Sequence, residues 1–191
     1  MEQIVLGLDI STKTVGWSLI HPASFLPTLG YITLGDYKNL YQKASEFKRQ
    51  IEKIIIENNV THIAIEEDLK KFTRGKSSAT TIQILSKFNG MSSYIVYDIM
   101  GKPPIHINVT DARKLAKCKI VRQKTKKDKK VKQQVFEQIT EKLNEYPWPK
   151  KKMKSGPRKG EEVMIDECYD MVDAYVISIA GKILITKIEE S

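Results

Sequence analysis

Three short apolar runs crowd the start of the chain, Ile4 to Asp9, Val15 to Ile20 and Gly30 to Leu34, none of them long enough to be a helix. They are separated by the turn-forming "STKT" and by the stretch from Pro22 to Pro27, so they predict an antiparallel meander. The period then changes. From Leu40 to Asn58 the apolar residues Leu40, Ala44, Phe47, Ile51, Ile54 and Ile55 return every three or four positions, which is one face of an amphipathic helix. "THIAIEE" reverts to strand, Thr80 to Met100 is helical through Ile82, Leu85, Phe88 and Ile95, and "IHINV" after "GKPP" is a further strand. A meander followed by helix and strand in alternation predicts an α/β fold, a mixed five-stranded sheet with helices on both faces.

Beyond that, Thr110 or Asp111 is placed to cap a short helix through Ala116. A longer helix is expected from Val131 to Tyr146, stopped by "PWP", and a last one from about Ile165 to Ile179. The basic, apolar-poor stretches "KCKIVRQKTKKDKK" and "KKKMKSGPRKG" between them are expected as mobile surface loops or arms. The 191 residues suit one domain, 1–191, with basic insertions at about 117–131 and 147–164.

Charge narrows the function. Lys and Arg number 32 against 23 Asp and Glu, a formal net charge of +9, which favours a polyanionic partner and nucleic acid first. No apolar run approaches the roughly 20 residues of a membrane span, and "MEQ" lacks the layout of a signal peptide, so a cytoplasmic protein without a membrane partner is expected. The 2 cysteines, Cys118 and Cys168, and the 3 histidines stand in no metal-ligand spacing, so neither a disulfide framework nor a zinc site is indicated.

Against this basic background, carboxylates interrupt the apolar pattern at two places. Asp9 ends the first strand and Glu66 ends "IAIEE", each where the pattern wants a hydrophobe. A buried carboxylate needs a proton, a cationic partner or a metal. "DECYDMVDAYVIS" adds Asp166, Asp170 and Asp173, spaced four and three apart on one helical face that runs into an apolar segment. Two strand-end carboxylates and two from such a helix form an oxygen-only set suited to Mg2+, with Mn2+ as a substitute. Two ions roughly 4 Å apart would activate water and stabilise the leaving oxygen in phosphodiester cleavage, with Asp9 bridging both.

In order along the chain, "LGLDISTKTVGWSLI", "IAIEE", "IHINV", "KQQV" and "DMVDAY" resemble the RuvC-type Holliday junction resolvases of the ribonuclease H superfamily, and the short basic chain resembles their phage and viral branch. The resemblance implies Asp9, Glu66, Asp170 and Asp173 as catalytic metal ligands and Lys132 as a basic residue that supports catalysis or holds the DNA phosphate. It implies a homodimer, with the apolar "TIQILSKFNGMSSYIVYDIM" as its contact, acting on four-way junctions, forks and flaps. The sequence departs from the family pattern after Asp9, where Ile10 and Ser11 replace the usual Pro-Gly turn. It departs again at the second basic active-site position, where Arg113 and Lys114 stand slightly displaced.

DNA phosphates are expected to meet the basic residues Lys70, Lys71, Arg74, Lys76, Arg113, Lys114, Lys117, Lys124, Lys126, Lys127, Lys129 and Lys130, and the cluster from Lys150 to Lys159. Phe72 is expected to stack on unpaired bases at the branch. The expected activity is that of a metal-dependent, structure-selective endodeoxyribonuclease on branched DNA. The alternatives are an RNA-processing nuclease of the resolvase-like group that matures ribosomal RNA precursors, which "LGLDISTKTVGW" also resembles, and a non-catalytic nucleic-acid-binding module.

Overall fold

A computed structural model describes residues 2–67, 79–121 and 129–190. The meander is present as β1 (Val5–Asp9), β2 (Thr14–Ile20) and β3 (Thr28–Thr33), followed by α1 (Leu40–Glu57), β4 (His62–Glu66), α2 (Ala79–Met100) and β5 (Ile105–Ile107). The second half holds α3 (Val109–Leu115), α4 (Val131–Lys142), β6 (Lys150–Lys152), β7 (Glu162–Met164) and α5 (Cys168–Glu189). The main sheet runs β3-β2-β1-β4-β5. β1 pairs antiparallel with β2 and parallel with β4, and β4 pairs parallel with β5. This is the mixed five-stranded α/β sheet that the order of periods demands.

Strand alternation divides the core between the two faces. Leu6 and Leu8 of β1 and Ile63 and Ile65 of β4 pack with Phe47 and Ile51 of α1 and Phe88 and Val96 of α2. On the other face Ala64 packs with Met171, Val172 and Val176 of α5, Ala112 of α3, and Val135 and Ile139 of α4. α5 is apolar nearly all round because it is covered by the sheet beneath it and by α3 and α4 at its flanks.

Several boundaries differ from the sequence expectation. The last helix does not stop near Ile179 but continues through Gly181 to Glu189, with Ile185 buried. Gly181 is there because a Cβ would stand 2.7 Å from the Ala64 Cβ, so it serves close packing and not a helix stop. α4 ends at Lys142, because the chain must turn for the Tyr146 hydroxyl to reach the edge strand, where it donates to the Leu29 carbonyl at 3.0 Å and accepts from the Leu29 N–H at 3.2 Å. The cap of α3 is Asn108, whose side chain accepts from the Thr110 N–H at 2.9 Å. The stretch "KKKMKSGPRKG", expected as a loop, enters a two-stranded antiparallel ribbon of β6 and β7. Among the described residues no helix is long and apolar enough to cross a membrane.

Candidate active site

Leu8 of β1 lies opposite Ile65 of β4 in parallel register, so both strands end on their carboxylates, Asp9 and Glu66, at the same edge of the sheet. Alternation sends Asp9 to the face of Gly7 and Glu66 to the face of Ala64, which is the face α5 covers. The end of β4 is fixed from the opposite layer by the buried Asn89 of α2, whose Nδ2 donates to the Glu66 carbonyl at 2.9 Å.

Two glycines bring α5 onto this edge. A Cβ on Gly7 would stand 2.4 Å from the Ala174 carbonyl oxygen, and one on Gly16 would stand 2.1 Å from that of Asp170. The helix therefore rests directly on strand backbone, which places Asp170, in its first turn, and the buried Asp173 beside Asp9. The third acid leaves the group. Asp166 precedes the helix, its side chain is 89% exposed, and it pairs with Lys151 at 3.2 Å.

Among the described residues two cations enter the cluster. Lys132, near the start of α4, places its Nζ 3.0 Å from Asp170 Oδ1 and 3.2 Å from Asp173 Oδ2. The same Nζ lies 5.9 Å from the centroid of the Tyr169 ring, which stacks on Phe136 at 4.0 Å. Arg113 of α3 approaches Asp173 Oδ1 at 3.6 Å, and its buried Nε has no hydrogen-bond partner.

The charges are strongly interdependent. Asp9 is enclosed by protein atoms yet still reached by solvent, and burial, then Asp173 and Glu66, push its carboxyl well above the usual range. Burial and Asp173 raise Glu66 as well, opposed by Arg113 and by a hydrogen bond with Asp9. Burial raises Asp170 against the pull of Lys132. For Lys132 burial alone would favour the neutral amine, but Asp173, Asp170 and Asp9 together outweigh it and hold the ammonium firmly protonated.

Among the described residues no three of these acids stand together as a ready coordination sphere, since Lys132 and Arg113 engage the oxygens of Asp170 and Asp173. The chemistry of the set nonetheless suits a hard divalent cation. The donors are all carboxylate oxygens, and an ammonium and a guanidinium offset only part of their negative charge.

The residues expected to meet DNA fall in different places. Arg113 is turned into the acidic cluster, with its side chain 19% exposed, because α3 packs on α5 and aims the guanidinium at Asp173. Lys114 pairs with Asp111 at 3.3 Å and Lys129 with Glu137 at 2.6 Å. Lys117 is exposed in a left-handed conformation, with φ 58°. Lys130 precedes α4 and lines a cleft with Lys13, Lys132, Asp166, Tyr169 and Asp170. Lys70, Lys71, Phe72, Arg74, Lys76, Lys124, Lys126 and Lys127 lie outside the described residues. The sequence reading missed Asn89, because a polar residue within an apolar helix gives no sign of its partner, and Lys13, because the turn "STKT" reads only as a turn.

The sequence matches no protein-family model and no curated protein. Its structure is similar to that of Thermus thermophilus RuvC in complex with a Holliday junction substrate, with a TM-score of 0.60 and 10% identity over 97% of this chain and 96% of the other. A second structure of Thermus thermophilus RuvC gives a TM-score of 0.60 at 12% identity, covering 97% of this chain and 96% of that one. The yeast mitochondrial Holliday junction resolvase Ydc2 gives a TM-score of 0.56 at 14% identity, covering 98% and 81%. At such identities the likeness is one of fold, and the fold is the ribonuclease H-like one of the RuvC-type resolvases.

Proposed function

We propose that the protein is a structure-selective endodeoxyribonuclease that cleaves Holliday junctions and other branched DNA by metal-dependent phosphodiester hydrolysis. The observation that carries this reading is the gathering of four carboxylates from β1, β4 and α5 at one edge of a RuvC-like sheet, with Lys132 held against two of them. Asp9, Glu66, Asp170 and Asp173 are the residues to hold two Mg2+ ions, or Mn2+ in their place. When bound, such ions supply an activated water and stabilise the leaving oxygen. A non-catalytic binding module accounts poorly for the cluster, because four carboxylates outnumber the two cations set against them, and the surplus negative charge repels phosphate.

The chain's own residues have separable tasks. Asp9 and Glu66 are fixed by the sheet register, and Asn89 holds the end of β4. Arg113 holds Asp173 from the side of α3, and Lys132 brings positive charge to the mouth of the cluster, where a phosphate must approach. Paired cuts across a two-fold junction call for a two-fold dimer with one site per subunit. α2 is our proposed contact: among the described residues it exposes Ile84, Tyr94 and Tyr97, and solution mass tests it.

The deciding experiment incubates the wild type and Asp9→Asn with end-labelled four-way junction, fork, flap, linear duplex and structured RNA, with Mg2+, with Mn2+ and with chelator. The expected result is metal-dependent nicking of branched DNA by the wild type and binding without cutting by the variant. Cleavage confined to RNA would move the assignment to an RNA-processing nuclease. Binding without cutting by both proteins in every metal would make the chain a non-catalytic module.

A further inference from the structure

The β6–β7 ribbon and the segment joining its strands, residues 150–164, carry six cations, Lys150, Lys151, Lys152, Lys154, Arg158 and Lys159, against two carboxylates, Glu161 and Glu162. Arg158 engages Glu161 at 2.7 Å, and Lys151 leaves the ribbon for Asp166 at 3.2 Å. Among the described residues Lys150, Lys152, Lys154 and Lys159 have no ion-pair partner. A surface that needed lysines only for solubility would not have to organise them, yet these are held in a built hairpin. Lys151 pairs with Val163 and Lys152 with Glu162 in antiparallel register. The Met153 N–H donates to the Glu161 carbonyl and the Gly160 N–H to the Met153 carbonyl, both at 2.9 Å. Gly156 and Gly160 close the turn with φ of 82° and 92°, where a side chain would be strained.

The ribbon is also joined to the candidate active site. The Ile165 N–H donates to the Pro149 carbonyl at 3.1 Å across its base, a few residues before α5 begins. Asp166, the partner of Lys151, lines the same cleft as Lys13, Lys130, Lys132 and Asp170. Positive charge thus continues from the cleft beside the carboxylates out along the hairpin.

Resting on the nuclease reading above, we propose that this hairpin is a clamp for the phosphate backbone of the duplex arm that leads into the site. The unpaired cations are all lysines, point charges for phosphate that lack the planar fork used to read guanine edges, so the clamp is indifferent to sequence. Because it holds substrate and transition state alike, it acts on binding and not on the chemical step.

The test is the variant K150S/K152S/K154S/K159S beside a control, K53S/K102S/K182S/K187S. The control removes the same charge from the opposite end of the sheet, where Lys102 nears His62 and the end of α5 reaches Gln3. Affinity for a linear duplex and for a four-way junction is measured across salt concentrations, with thermal unfolding to verify that each variant is folded. The slope of log K against log salt should become shallower by about 3 to 4 in the hairpin variant on both DNAs, and stay at the wild-type value in the control. KM for junction cleavage should rise with kcat unchanged. An unchanged slope, an equal change in the control, or a fall in kcat at unchanged KM would overturn the clamp while leaving the nuclease reading in place. A wild-type protein that binds no DNA would overturn both.

Discussion

Gly16→Ala tests whether the approach of α5 to the sheet sets the geometry of the acidic cluster. The new Cβ would meet the Asp170 carbonyl oxygen at 2.1 Å, its carbon at 2.3 Å and the Met171 nitrogen at 3.0 Å, and all three are helix backbone, which cannot rotate aside. An ordinary contact begins near 3.4 Å, so the start of α5 must retreat by about 1.3 Å, the difference between the two distances. Overpacking of this kind costs about 1–3 kcal/mol of stability, and a misplacement of about 1 Å in a reacting group lowers turnover about 100-fold. Gly181→Ala separates the two effects. Its Cβ meets the Ala64 Cβ at 2.7 Å, toward the other end of the same helix, so it strains the same interface far from Asp170. Urea unfolding and single-turnover junction cleavage at saturating protein are measured on both. Both variants should lose stability, but only Gly16→Ala should lose cleavage by about two orders of magnitude. Retention of cleavage within a few-fold of the wild type by a folded Gly16→Ala protein would refute the argument that this contact positions the acids.

Four further outcomes are expected. Tyr146→Phe strands both backbone groups of Leu29 on the edge strand, so urea unfolding should show a loss of about 1–3 kcal/mol with cleavage unaltered. Asn89→Ala removes the donor 2.9 Å from the Glu66 carbonyl and should slow single-turnover cleavage about tenfold, whereas its KM for junction should hardly move. Asp166→Asn, changing a side chain that is 89% exposed and outside the cluster, should keep cleavage near the wild-type level, while Asp170→Asn should abolish it. Hydrogen bonding from Arg49, with help from Gln50 and Tyr37, holds the Glu46 carboxyl at about 2, below its ordinary 4.5. Its contribution to stability is therefore complete above about 4.5 and lost as pH falls toward 2, so Tm of Glu46→Gln should fall less steeply than that of the wild type across that window.

What could be read in advance followed from patterns that are local in sequence. Asp9 and Glu66 stood out because each breaks a short apolar run, and the sheet places both at one edge because both are the last residues of parallel neighbours. Asp170 and Asp173 were legible through their helical spacing, and Asp166 was a false member of the same row: the spacing of four assumes a helix that begins only at Cys168. The residues that escaped notice act through distant contacts. Nothing near Gly7 or Gly16 in sequence says that a helix more than 150 residues later will lie on their backbone. Arg113 sits among the charges of "TDARKLAK", and only the packing of α3 on α5 turns it inward. The hairpin was hidden because lysine-rich strands resemble linkers by composition, and the ribbon depends on cross-strand hydrogen bonds and two left-handed glycines.

These distant contacts also explain how so acidic a group can exist in a basic protein. The sheet edge by itself brings together two carboxylates that cannot both be ionised cheaply, and burial beside Asp173 and Glu66 accordingly pushes the Asp9 carboxyl well above its usual range. The glycine-mediated approach of α5 adds two more acids, and by itself that would worsen the repulsion. The same approach, however, seats α3 and α4 on the flanks of α5, and these helices deliver Arg113 and Lys132 to the new acids at 3.6 Å and 3.0 Å. Packing and charge balance are thus one requirement: a change that lifts α5 from the sheet also moves the acids away from Asp9 and disturbs the cations that compensate them. The buried Nε–H of Arg113 has no hydrogen-bond partner, so this cation is held on Asp173 through the other end of its guanidinium alone. Two cations against four carboxylates leave a surplus of negative charge, so a divalent cation, if it occupies the cluster as proposed, should raise Tm of the wild type by binding the folded state. The rise should be much smaller in Asp9→Asn, and an equal rise in both proteins would place the bound ion elsewhere.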